Sequence, residues 1–179
     1  MSEWILPFPD SDITCAHGVV DELHPRGHRG TDYGKGSARK GAPVKAVTRG
    51  KVVRSEWHEN LGNVVVTSMM GGKYAYFCHL IEPGLPVGTI VDAGDVIGKI
   101  GNTGRYSFGA HLHCGVSEKP EGVYAGKVES LPAFVKAAQA AAKKAAPAAK
   151  PAVKPAAKPA AKPAVKAAPV KPVKAAETE

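Results

Sequence analysis

Disulfide chemistry has little to work with in this chain. Its 179 residues include three cysteines, Cys15, Cys78 and Cys114, an odd number without CxxC spacing. That excludes the paired-cysteine framework of a small secreted domain. Cys78 and Cys114 each adjoin a histidine in a strand-like run, so alternation is expected to turn them away from it as small buried apolar groups. No thiolate ligand is required. Long apolar runs are also missing: nothing approaches the roughly 18 residues of a membrane helix. Residues 1–10 lack both the charged n-region and the long apolar h-region of a secretory signal. The expectation is a protein made in the cytoplasm and held there until another agent releases it.

The front of the chain lacks an excess of either charge. Between Met1 and Val135, 14 Lys and Arg face 14 Asp and Glu, while Lys136–Glu179 carries ten Lys and two Glu and supplies the whole net charge of +8. A basic nucleic-acid groove in the front domain is therefore not indicated. The Gly- and Lys-rich stretch 34–42 contains no GxxxxGK[ST] pattern and no helix start, which removes a phosphate loop. A biotinyl- or lipoyl-type carrier would need a lysine between methionines at a hairpin tip, and Met69-Met70 is followed by Gly71.

What is present divides into three parts. Residues 1–128 read as one domain. Trp4, Ile5, Leu6 and Phe8 suit a strand or packing arm within an otherwise loop-like segment, 1–27. Val44–Val47 and Lys51–Arg54 flank a turn at Arg49-Gly50. Asn63–Thr67 is a β-branched run suited to a central strand. Met70-Gly71-Gly72-Lys73 reads as a hairpin turn before the alternating run Tyr74–Leu80. Short strands and tight turns fill Pro86–Gly101, a loop spans Asn102–Gly109, and His111–Val116 closes the set. The fold class is mainly β, an antiparallel β-sandwich or roll with a C-terminal helix and a disordered tail rich in Lys, Pro and Ala. The Ala-rich helix occupies 129–146, with Ser130 as its N-cap and Pro132 in its first turn. Residues 147–179 repeat Lys-Pro every four positions, which excludes helix and sheet and leaves a PPII-like, disordered polycation. It has no aromatics to stack on bases or sugars. Charge-driven binding to polyanions and service as a solvated spacer are both open to it.

Chemistry concentrates in Gly109-Ala110-His111-Leu112-His113-Cys114-Gly115-Val116. In a strand, His111 and His113 project to one face, an arrangement that suits a metal site and equally an ordinary strand with two histidines. Upstream, Gly27-His28-Arg29-Gly30-Thr31-Asp32-Tyr33-Gly34 sets His28 and Asp32 four residues apart. The glycines argue against a helix there, so an extended segment presents both on one face. Two histidines and one carboxylate make a three-ligand set with a fourth position left for water, as in catalytic zinc sites. His79 adds an imidazole from Tyr74–Leu80. His17 and His24 lie in loops and receive no role.

Taken together, HRGTDYG, YAYFCHL and the run from Val87-Gly88-Thr89 through GNTGR to GAHLHCGV resemble the lysostaphin/LytM-type zinc endopeptidases of peptidoglycan over about residues 17–117. The resemblance implies a β-rich fold, one Zn²⁺, and cleavage of peptide bonds in bacterial cell walls. It also implies that His28, Asp32 and His113 are the zinc ligands and that His111 and His79 are the catalytic pair. Two departures stand out. Of the family's Phe-Gly-x-Arg element only Gly18 remains, and no tyrosine shortly precedes His28 to assist an oxyanion. Transition-state stabilisation then rests on zinc and His79. Without an export signal, such a hydrolase suits a phage endolysin held in the host cytoplasm, or a virion-borne lysin, whose tail holds anionic wall polymers. A non-catalytic wall-binding module of the same fold is the alternative. Which wall bond is cut depends on groove-wall loops, for which 34–42 and 55–62 are the candidates.

Overall fold

The computed structural model describes residues 3–124 and 126–145; the Lys-Pro-Ala segment 147–179, and with it the expectation of a disordered tail, lies outside the described residues. In chain order the strands are β1 (Ile13–Cys15), β2 (Thr31–Tyr33), β3 (Pro43–Lys45), β4 (Gly50–His58) and β5 (Gly62–Ser68). They continue as β6 (Tyr74–Leu80), β7 (Ile90–Val91), β8 (Val96–Lys99), β9 (Leu112–Ser117) and β10 (Val128–Glu129), followed by the helix α1 (Leu131–Ala145). The architecture is mainly β and antiparallel, with a C-terminal helix, as its short alternating runs imply. Among the described residues no helix is long and apolar enough to cross a membrane.

The larger sheet runs β1-β2-β9-β6-β5-β4-β7, with β10 also paired to β9. β5 lies between β6 and β4 and carries apolar groups on both faces. Val65 joins the main core with Phe77, Leu112 and Cys114. Val64 and Val66 join a smaller cluster with Tyr76, Cys78 and Val123. A strand covered on both sides reads as a continuous β-branched run, and full burial of each such side chain stabilises by about 1.5–3 kcal/mol.

Some local expectations change. β1 forms within the stretch expected to be loop. The runs on either side of Arg49-Gly50 enter different sheets, because β3 pairs with β8 while β4 pairs with β5 and β7. β4 continues to His58, so most of the supposed loop 55–62 is ladder, with Trp57 opposite Asn63. The turn at Met70–Lys73 closes with the Met69 N–H donating to the Lys73 carbonyl at 2.8 Å. Gly71 and Gly72 there have φ of 89° and 79°, a conformation that favours glycine.

Helix α1 begins where Ser130 Oγ accepts the Ala133 N–H at 3.4 Å. Leu131 and Val135, one helical turn apart, are wholly buried in the main core. Phe134 meets Trp4 edge-on at 5.7 Å between ring centroids, and Gln139 donates to the Trp4 carbonyl at 3.0 Å. The first turns of the helix and the N-terminal arm therefore complete the core of the β domain.

Candidate metal centre

Sheet register lays out the floor of the site. Cys15 is the lateral partner of Asp32, Asp32 of His113, and His113 of Cys78, across β1, β2, β9 and β6. Lateral partners share a face, and neighbouring strands stand about 4.8 Å apart. Asp32 and His113 are thereby brought side chain to side chain, with His113 Nδ1 at 2.8 Å from Asp32 Oδ1. Cys78 does not turn away from this face as alternation predicts. It lies on the same face as His113, buried among Val64, Val66, Tyr76 and Val123. Cys114 does point the other way, into the main core.

The reason lies one residue on, at His79. Between the pairs Val65–Phe77 and Asn63–Leu80, β6 uses one more residue than β5. This bulge resets the alternation. Among the described residues His79 is the one non-glycine with positive φ, at 61°. Its carbonyl-side neighbour is pinned: Leu80 O accepts from Asn63 Nδ2 at 3.1 Å and Thr103 Oγ1 at 2.7 Å. The His79 N–H donates to Leu61 O at 2.8 Å. An over-determined residue in a sparsely populated backbone region is a feature of functional sites. Here it turns the imidazole toward His111, at 4.6 Å between ring centroids, and toward His113, at 6.0 Å.

His28 precedes β2 and is fixed by pairing with the preceding loop. Its N–H donates to Val19 O and its carbonyl accepts from the Gly18 N–H, both at 2.8 Å. Its ring crosses the floor to place Nε2 at 3.1 Å from His113 Nδ1 and 3.3 Å from Asp32 Oδ1. Glycine is needed at residue 30, where a Cβ would stand 2.4 Å from His113 Cε1.

The donor set of His28, Asp32 and His113 fits a metal ion. Its three mutual distances are 2.8, 3.1 and 3.3 Å. A tetrahedron with bonds of about 2 Å has edges of about 3.3 Å. Protonation supports this. His28 Nδ1 lies 3.1 Å from Ala16 O, and a carbonyl only accepts, so in the neutral ring the proton sits there and Nε2 aims a lone pair at a carboxylate oxygen. Two acceptors facing each other call for a cation between them. His113 Nε2 is buried with no hydrogen-bond partner among the described residues, which leaves Nδ1 as the working atom of that ring.

His79 and His111 share one device. His79 Nδ1–H donates to Thr103 O at 2.8 Å, and His111 Nδ1–H to Gly109 O at 2.8 Å. Each Nε2 therefore carries a lone pair, and that of His111 lies 4.0 Å from Asp32 Oδ1. Burial, helped by the neighbouring His111 ring, pushes the His79 imidazole down to about 4, so it is neutral at neutral pH. Burial also lowers His113, against the pull of Asp32. Burial raises Asp32, but in the metal-free protein protons on the facing nitrogens of His113 and His28, standing where the ion would, donate to it, outweigh burial and hold the carboxyl far below its usual range.

These residues floor an open groove of about 640 Å³. Its walls come from Glu22, Leu23 and His24 on one side and from Tyr106, Phe108 and Ala110 on the other. Of the loops expected to form the walls, only Gly34 and Leu61 line the groove. His24, which receives no role from sequence, stands in the groove with its ring 4.3 Å from that of His28. The four-residue spacing of these histidines was the available signal. Nothing in the sequence marked Cys15, because its place depends on a bulge in β1.

A β-rich groove floored by two histidines and a carboxylate defines a metallohydrolase-like centre. Residues 26–125 match the family model for peptidase family M23. Over 124 residues the chain is 32% identical to the peptidoglycan DD-endopeptidase ShyC of Vibrio cholerae, which covers 64% of this chain and 28% of that protein. The catalytic domain of lysostaphin from Staphylococcus simulans superposes with a TM-score of 0.58 at 27% identity, covering 68% of this chain and 89% of that domain. A zinc-containing peptidase from Vibrio cholerae gives 0.53 at 29% identity, with 62% and 35% covered. The chain belongs to peptidase family M23. It spans under a third of the length of the curated relatives it matches.

Proposed function

We propose that this protein is a zinc-dependent endopeptidase that hydrolyses peptide bonds in bacterial peptidoglycan. The observation that carries the reading is the convergence of His28 Nε2, Asp32 Oδ1 and His113 Nδ1 within 2.8–3.3 Å at the floor of an open groove. The zinc-containing relative and the peptidoglycan endopeptidase relative support the metal and the substrate class.

His28, Asp32 and His113 would hold the ion. When bound, zinc supplies a Lewis acid for the scissile carbonyl and lowers the pKa of its water to about 7. His111, with its proton committed to Gly109, presents Nε2 as the base that takes the proton of the attacking water. The hydroxyl adds to the carbonyl carbon, the C–N bond breaks, and the leaving amine receives the proton that the imidazole had taken. His79 presents a lone pair of the same kind, because its own proton is held by Thr103. It therefore donates to an oxyanion only after it has itself been protonated, and it serves first as a second acceptor beside His111.

The test uses purified peptidoglycan from several walls. Chelation with EDTA should abolish hydrolysis, Zn²⁺ should restore it, and mass spectrometry of the fragments should show new amine and carboxyl ends. Zinc binding without new ends would instead make the chain a wall-binding module. The ten-lysine segment from Lys136 onward is proposed to hold anionic wall polymers by charge alone. Removing residues 147–179 should then weaken wall pull-down several-fold at low salt and not at high salt; equal pull-down would make the segment a spacer.

A further inference from the structure

Cys15 ends the lateral row that contains Asp32 and His113, and the reaction above does not use it. Its Sγ and one donor atom each of Asp21 and His24 all lie within 4.8 Å of one another. Cys15 stands in the same relation to His28 and Asp32, so the thiol sits between two donor sets. The second set is organised. Asp21 Oδ1 accepts from the Leu23 N–H at 3.0 Å and the His24 N–H at 2.7 Å, and it lies 2.9 Å from His24 Nδ1. The His24 ring also packs on His28.

One thiolate, one imidazole and one carboxylate form a donor set for a borderline-soft divalent ion. Zinc bonds of about 2.3 Å to sulfur and about 2.0 Å to nitrogen give donor separations of about 3.5 Å. Asp21 and His24 already stand 2.9 Å apart, and the two pairs with Cys15 must close by little more than about 1 Å. Cys15 is on an edge strand and Asp21 and His24 are on an adjoining turn, where such closure meets little packing.

We propose that Cys15, Asp21 and His24 form a second binding site for a zinc-class divalent ion on the lip of the groove. The Cys15 thiol gives up its proton to solvent as the metal–sulfur bond forms. His24 and its neighbours Glu22 and Leu23 form one groove wall. Occupancy fixes that wall over the floor, so the second ion inhibits where the first activates. The order of filling rests on the three-ligand reading of the first centre.

Cobalt(II) titration of the full metal-free chain tests this, because thiolate ligation gives a near-ultraviolet charge-transfer band that histidine and carboxylate ligation lacks. Two equivalents are expected, the band appearing with the second. Cys15→Ser and His24→Ala should each bind one equivalent with no band, and their far-ultraviolet circular dichroism should match the parent. In the parent, hydrolysis should fall several-fold as the second equivalent fills, and that fall should disappear in Cys15→Ser. One equivalent without the band in the parent overturns the second site and leaves the catalytic reading intact. One equivalent with the band makes Cys15 a ligand of the first ion and overturns the second site together with the open coordination position. No binding at all overturns both centres.

Discussion

The two halves of the site are built by opposite means. Asp32 and His113 stand on a regular antiparallel ladder, each the lateral partner of the other, and His28 is laid over them from a paired loop. His79 and His111 stand where regular backbone fails. His79 occupies a bulge at positive φ, and His111 lies just before β9 at an isolated bridge to Gly101. A ladder fixes side chains to the pleat and suits groups that must meet at one point. A bulge or strand end aims a side chain off the pleat, toward a reacting atom above the ladder.

Removing a ladder residue should have the largest effect. His113→Ala or Asp32→Asn breaks the three-donor set, and the ion goes with it. Lewis-acid stabilisation is worth several kcal/mol, so hydrolysis should fall by about 10³-fold or more, with zinc content near zero by elemental analysis. His111→Ala should separate the halves. Bound zinc should stay at the parent level while the rate falls about 10²–10⁴-fold, the usual contribution of a general base. Loss of metal from His111→Ala, with retention in His113→Ala, would show that the two histidines trade roles.

Gly30→Ala probes the ladder half without touching a donor atom. The added Cβ meets His113 Cε1 at 2.4 Å and Nε2 at 2.6 Å, so the ring must move off its line to Asp32. Metal affinity should drop about 10–100-fold, as when supporting groups around a metal are lost. Competition with a chromophoric chelator measures it. Affinity equal to the parent would mean that the ring is free to shift, and that the ladder constrains the site less than its register indicates.

The same contrast explains what was legible in sequence. The ladder half could be read because strand period is fixed: the strand run that carries His113, the glycines around His28 and Asp32, and the β-branched run of β5 each follow from local geometry. The bulge half could not, because one extra residue in β6 is paired against β5 and held by Asn63 and Thr103 from elsewhere in the chain. Nothing within Tyr74–Leu80 announces it. Alternation consequently misassigned Cys78, and only the family resemblance gave the imidazole of His79 a catalytic role. The groove walls failed for a related reason: 22–24 and 106–110 carry no periodic pattern, and tertiary packing alone brings them over the floor.

His79 offers the finest test, because its burial and its backbone act on stability in distinguishable ways. A non-glycine residue in the left-handed region costs about 1–2 kcal/mol, so His79→Gly should be about 1 kcal/mol more stable than His79→Ala in denaturant unfolding. Burial works through pH. The imidazole titrates at about 4 when folded and near 6.5 when unfolded, so between those values the unfolded chain binds more protons. The stabilisation from keeping it neutral is complete above pH 6.5 and lost as pH falls toward 4, to a limit of about 3 kcal/mol for the metal-free protein. His28, raised by Asp32 against its burial, opposes part of this loss in parent and variant alike. The parent's denaturation midpoint should therefore fall more steeply than that of His79→Asn from pH 7 to pH 4. Parallel falls would mean that folding leaves the His79 imidazole near its ordinary range, and a shallower fall in the parent would place a proton on folded His79 at neutral pH, making it the donor to the oxyanion from the start of the reaction.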